Sequence, residues 1–197
     1  NQKDGTFKNE VKQRTGHIPT YSMGVDAADI NNDLLPDIYV ADMASEDHVR
    51  SKANMGSMNT EAFWDLIRMG EHYQFMFNCL QLNSSIGIFR EVAQLAGVAK
   101  TDWSWAPLIA DFDNDGWKDL FVSNGIYRDV RNNDFLIEFA KKYEDGNQQF
   151  NALDELAKIP QNGVNNYMFR NNGDLTFTKK MLDWGFDFPV NSNGAAY

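Results

Sequence analysis

The sequence holds one cysteine, Cys79, so no intramolecular disulfide can staple it. Basic residues are outnumbered: Lys+Arg 18 against Asp+Glu 28 leaves a formal net charge of -10. Phosphate backbones and anionic membrane surfaces are held by basic patches, so no nucleic-acid partner is expected and no membrane-surface partner either. No apolar run approaches the roughly 18 residues of a membrane span, so no membrane insertion is expected. The opening "NQKDGTF" also lacks the basic-then-apolar pattern of a secretory leader. Histidine is sparse, and His17, His48 and His72 stand at no metal-ligand spacing to one another. "MGSMN" around Ser57 lacks the second glycine of a nucleophile elbow, and no glycine loop of the phosphate-cradling kind occurs. No catalytic constellation is visible, and the expected function is non-catalytic.

What is present is apolar bulk and clustered acid. Hydrophobic residues make up 43% of the 197 residues and aromatic ones 13%, which predicts a packed core and not a disordered chain. The lone Cys79 lies in an apolar stretch and reads as a small buried hydrophobe. The acid gathers in "DFDNDGWKD", with Asp111, Asp113 and Asp115 at every second position and Asp119 four further on. The same layout, "DINNDLLPD", runs from Asp29 to Asp37, 82 residues earlier. Phe7 and Phe89, in "TFKNEV" and "IFREVA", are also 82 apart, and a third copy, "TFTKKM" at Phe177, follows 88 residues after the second. "NCLQLNSSIGIF" and "NYMFRNNGDLTF" extend that match backwards. Internal repetition of this kind marks an array of similar units.

Ser22 and Ser104 each precede an acidic loop by seven residues, and Ser192 is their counterpart in the third copy. Its loop is therefore expected at about position 199, beyond Tyr197. The expected order is repeat 1 at about 1–43, a helical insert at 44–72, repeat 2 at 73–126, a second insert at 127–160, and a shortened repeat 3 at 161–197. "WSWAPLIADF" and "KDLFVSNG" read as strands flanking the second loop. "NYMFRNNGDLTFT" reads as a hairpin turning at Asn172-Gly173, with Tyr167, Phe169, Leu175 and Phe177 on one face. In "NTEAFWDLIRMG" the spacing of Phe63, Leu66 and Ile67 predicts a helix capped by Asn59 or Thr60 and stopped by Gly70. "NNDFLIEFAKKYEDG" does the same through Phe135, Leu136, Phe139, Ala140 and Tyr143.

Oxygen donors at positions 1, 3, 5 and 9 of a tight loop, with a carbonyl at position 7, suit calcium, which takes six to eight hard oxygens. In the second loop these are Asp111, Asp113, Asp115, the Trp117 carbonyl and Asp119, with Gly116 at the sharp turn. Each like-charge pair costs about 4 kcal/mol at 4 Å and an effective dielectric of about 20, so a divalent cation would let the loop close. In the first loop they are Asp29, Asn31, Asp33, the Leu35 carbonyl and Asp37, with one carboxylate replaced by an amide. Leu34 stands where the glycine is expected, at a cost on the order of 1 kcal/mol if that position is left-handed. The competing reading is a polar turn whose aspartates cap backbone amides. A helix-loop-helix calcium hand is excluded, because its position-12 glutamate is Val40 in one loop and Val122 in the other, both in strand-like alternation.

"FREVAQLAGV", "WSWAPLIADFDNDGWKDLFVSNG", "YSMGVDAADINNDLLPDIYVADM" and "NNYMFRNNGDLTFTKKMLDWGFD" together resemble the FG-GAP/VCBS repeat, the blade unit of integrin-α-like β-propellers. They are similar to bacterial relatives of the cartilage acidic protein family. The resemblance implies a mainly β fold: a partial β-propeller of such blades, with Ca2+-binding loops and helical insertions between blades. It implies the ten ligand positions just named, an extracellular or cell-envelope location, and a protein or glycan ligand. Closed propellers take four to eight blades, so open blade edges would invite self-association. The helical inserts are the expected partner surface. Two alternatives stand beside this reading: part of a propeller-based polysaccharide lyase or hydrolase, and a structural spacer module. Trp103 and Trp105 share one strand face, where packing in the core competes with stacking on a sugar.

Overall fold

Alternating apolar residues on either side of each acidic loop form paired strands, and the loops set where the pairs begin. A computed structural model describes residues 1–54, 60–144, 151–159, 161 and 163–196. Nine strands build the two main sheets: β1 (Gly24–Ala28), β2 (Asp37–Ala41), β3 (Met43–Ala44), β4 (Cys79–Leu82), β5 (Arg90–Glu91), β6 (Asp102–Ala110), β7 (Asp119–Asn124), β8 (Tyr167–Asn171) and β9 (Phe177–Lys179). Among the described residues the helices are α1 (Val11–Arg14), α2 (His48–Ala53), α3 (Thr60–Arg68), α4 (Ala93–Ala96), α5 (Asn133–Glu144) and α6 (Ala152–Ala157). With 28% strand against 21% helix the fold is mainly β, and its sheet curls into a half-barrel. No helix among the described residues is long and apolar enough to cross a membrane.

Sheet one runs β1-β2-β4-β5, and sheet two runs β9-β8-β7-β6-β3, antiparallel throughout. Two short pairs flank them, Ile18–Pro19 with Gln74–Phe75 and Val164–Asn165 with Pro189–Val190. The chain passes from sheet one to sheet two at the buried Asp42, between β2 and β3. That carboxylate accepts the N–H groups of Thr20 and Met43 at 2.8 and 2.6 Å, which pins the crossover. Pro107 lies inside β6 at a register shift between Ser104 and Pro107, where a missing N–H breaks no regular ladder.

The helical inserts do not separate the sheets, as expected from the sequence, but interrupt them. Helices α2 and α3 fall between β2 and β4 of sheet one, and α5 and α6 between β7 and β8 of sheet two. Residues 73–126, read from the sequence as one repeat, therefore hold the last two strands of sheet one together with β6 and β7 of sheet two. A long connection is tolerated at that place because loop-closure cost rises only slowly with length. The hairpin also differs from its expected form. Asn171 pairs with Phe177, so the connection is five residues long, with Asp174 accepting the N–H of Thr176 at 3.0 Å. Helix α3 ends at Arg68, two residues before the left-handed Gly70 at φ +92°, while the proposed cap Asn59 and the Ser57 stretch lie outside the described residues.

One core draws on both sheets. Tyr39, Leu80 and Val98 pack with Ile109, Leu120, Val122 and Phe169, and Tyr167, Leu175 and Phe177 of the hairpin cover them. The buried Tyr39 hydroxyl donates to the Val98 carbonyl at 2.9 Å, so no polar group is orphaned there. Where β1 approaches β6 only a glycine fits: a Cβ on Gly24 would collide with the Trp105 carbonyl. The Ile109 N–H donates to Asp26 Oδ2 across the same gap at 2.7 Å, joining the first strands of the two sheets.

Candidate metal centre

Each acidic loop connects the first strand of a four-strand meander to the second, β1 to β2 in sheet one and β6 to β7 in sheet two, where β3 adds a fifth strand beside β6. The two share one hydrogen-bond scheme. In the second, Asp111 accepts the N–H groups of Asp115 and Gly116 at 3.0 and 2.9 Å, and Asp115 accepts that of Trp117 at 2.9 Å. In the first, Asp29 accepts those of Asp33 and Leu34 at 3.1 and 2.8 Å, and Asp33 accepts that of Leu35 at 2.9 Å. The backbone turns left-handed at the same two places, φ +60° at Asn114 and +92° at Gly116, φ +59° at Asn32 and +69° at Leu34. Leu34 therefore adopts the conformation that suits a glycine, with its side chain 90% exposed.

The fourth carboxylate of each loop does something different. Asp119 is fully buried, and its two oxygens accept the N–H groups of Phe112 at 3.0 Å and Asn171 at 2.9 Å. Asp37 repeats this with Ile30 at 3.0 Å and Asn83 at 2.8 Å. Position 9 thus clamps the loop to the third strand of its own meander, to Asn171 within β8 and to Asn83 just past the end of β4. Burial pushes both carboxyls above their usual range, against the pull of these amide donors.

The second loop brings Asp111, Asp113 and Asp115 together, one oxygen of each within 4.8 Å of the others. Asp119 stands outside that group. Arg170 spans the outer oxygens of Asp113 and Asp115 through Nε and Nη2 at 2.8 and 2.5 Å. Asp115 sits below the usual carboxylate range, through the Trp117 N–H first and Arg170 after it. At the place of Arg170 the first loop has Leu82, and there Asn31 donates its amide to Asp33 at 3.1 Å instead. The two loops touch: Asn32 donates to the Gly116 carbonyl at 3.3 Å, and the Asn171 amide bridges the carbonyls of Ile30 and Lys118 at 2.8 and 2.9 Å.

The three carboxylates that converge in the second loop offer oxygen alone, which fits a hard divalent cation and not a soft one. The first loop presents two carboxylates and an amide in the same bracket, a weaker donor set. Sequence reasoning missed Arg170, Asn83 and Asn171. The two asparagines occupy matching places in "NCLQLNSSIGIF" and "NYMFRNNGDLTF", so the repeat alignment carried that signal; nothing local marked the arginine.

Trp103, Trp105, Trp117 and Trp184 are half-buried. Trp105 donates its indole N–H to the Gly125 carbonyl at 2.6 Å, and the guanidinium of Arg131 lies 5.8 Å from the Trp103 ring. Trp117 packs on the hairpin turn at Gly173. A groove of about 630 Å³ runs over sheet two, lined by Leu108, Phe121, Met168, Trp184 and Phe186. No protein-family model matches the chain, and comparison with curated proteins finds no match.

Proposed function

We propose that the chain is a calcium-stabilised segment of a β-propeller, a non-catalytic binding scaffold of the cell exterior or cell envelope with a protein or glycan as ligand. One observation carries the reading: two consecutive antiparallel four-strand meanders, β1-β2-β4-β5 and β6-β7-β8-β9, hold the same acidic bracket between their first and second strands, and the brackets touch. In this reading each meander is a blade. The apolar groove on sheet two is then the face on which a further blade packs. Asp111, Asp113 and Asp115, with the Trp117 carbonyl and Asp119, hold the stronger ion; Asp29, Asn31, Asp33, the Leu35 carbonyl and Asp37 hold the weaker.

The ion's part is structural. With a dissociation constant of about 10⁻⁴ to 10⁻³ M and millimolar calcium, each site adds roughly 0.4 to 1.4 kcal/mol by mass action. The insert helices, with Trp64, Leu66 and Met69 exposed, supply the ligand-facing surface.

Calorimetric titration of chelator-treated protein with calcium tests this, alongside Asp115→Ala. The expected result is one dominant site, lost in the variant, with a weaker site surviving. Absence of binding at millimolar calcium would reject the metal reading of both loops and leave Arg170 as the cation of the second.

A further inference from the structure

A second group of ligand-type side chains lies on sheet one, away from the acidic loops. His17 precedes the Ile18–Pro19 strand, Cys79 opens β4 and Glu91 closes β5, and each places a donor atom within 4.8 Å of the other two. Three features mark the spot as more than a packing accident. His17 Nε2 is buried and has no hydrogen-bond partner, although the ring is fixed edge-on against Phe75 and Phe77 at 5.1 and 5.2 Å. Glu91 commits Oε1 to the N–H groups of Leu80 and Ala93, at 3.2 and 2.7 Å. Its Oε2 faces His17 Nε2 at 3.8 Å, too far for a hydrogen bond. Cys79 is fully buried beside them, its sulfur 3.9 Å from the Phe77 carbonyl.

A buried imidazole nitrogen facing an uncommitted carboxylate oxygen across such a gap is unfavourable as it stands. A tetrahedral zinc ion has metal–nitrogen and metal–oxygen distances of about 2.0–2.2 Å, which separate those donors by roughly 3.4 Å, close to what the fold already sets. We propose that His17, Cys79 and Glu91 form a three-ligand site for zinc or a similar borderline-soft ion, with water completing the coordination. The nitrogen, sulfur and oxygen set discriminates against calcium, which prefers oxygen alone. On binding, the Cys79 thiol gives its proton to solvent and the sulfur bonds the metal as thiolate. Burial holds that thiol up at about 12 in the metal-free chain, so the cation itself supplies the drive for deprotonation. The ion joins the segment before Ile18 to the third and fourth strands of sheet one, a link the strand ladder does not make.

Cobalt(II) is the direct probe, because Cys79 is the only thiol in the chain. Chelator-treated full-length chain titrated with cobalt should develop a thiolate-to-metal charge-transfer band that saturates at one equivalent and disappears when zinc is added. Cys79→Ser should abolish the band, and His17→Gln and Glu91→Gln should each weaken zinc binding by at least about 100-fold, more than loss of an outer-shell partner costs. Asp115→Ala should leave the band and the zinc stoichiometry unchanged, which separates this site from the acidic loops. Cobalt binding without the band, or no retained zinc, overturns the proposal on the unmutated chain, so a variant that fails to fold does not shield it.

Discussion

The two acidic loops are the same bracket built from different charges. Both use positions 1 and 5 to hold their own backbone amides, and both use a buried position 9 to hold the third strand. Three of their differences carry the contrast: Asn31 against Asp113, Leu34 against Gly116, and Leu82 against Arg170. Where position 3 is an amide, it donates to its neighbour and removes a repulsion. Where position 3 is a carboxylate, a cation must answer it, and Arg170 already spans two of the oxygens. The shape of the loop is therefore fixed by carboxylates that hold backbone, while the need for a cation is set by how many carboxylates remain.

That division can be broken experimentally. Asp119→Ala and Asp37→Ala should each cost about 3 kcal/mol in chelator, by leaving two backbone N–H groups without acceptors in buried surroundings. Denaturant unfolding of both variants checks this, and a large inequality between them would end the parallel. Next in size, Asn31→Asp should tighten calcium binding at the first loop by about tenfold, since affinity follows ligand charge; calorimetry with Asp115→Ala as background isolates that site. Leu34→Gly should stabilise the protein by about 1 kcal/mol by relieving the left-handed strain, with little packing lost from so exposed a side chain. Thermal unfolding measures it, and Gly116→Leu should lose a similar amount. The smallest effect belongs to Arg170→Gln: a slight fall in melting temperature in chelator that vanishes at high salt or with saturating calcium, as suits an exposed ion pair. A loss that persists with calcium present would make the arginine a structural element and not a stand-in cation.

The strands beside the loops were legible in the sequence because alternation and acidic punctuation coincide there, as in "WSWAPLIADF" and "KDLFVSNG". The face shared by Tyr167, Phe169, Leu175 and Phe177 was legible for the same reason. The hairpin's length was not, because Asp174 and Thr176 build a wider turn by side-chain hydrogen bonds that Asn172-Gly173 does not announce. Nor was the phase of the sheets, since repetition in sequence does not say which strand pairs with which across an insert. The burial of position 9 was not legible either, because it depends on strand packing, which spacing alone does not carry. Arg170 was invisible because it meets the loop from 57 residues away.

The offset between repeat and sheet has a consequence for how such a chain can change length. Excising the stretch from the start of β4 to the end of β7 brings β1 and β2 into line with β8 and β9. The product is again a four-strand meander, half from each parent, with its acidic bracket intact and Asn171 taking the place of Asn83. A junction at that place leaves no half-sheet; it exchanges partners. What it demands is that β8 pair with β2 as β4 does in sheet one.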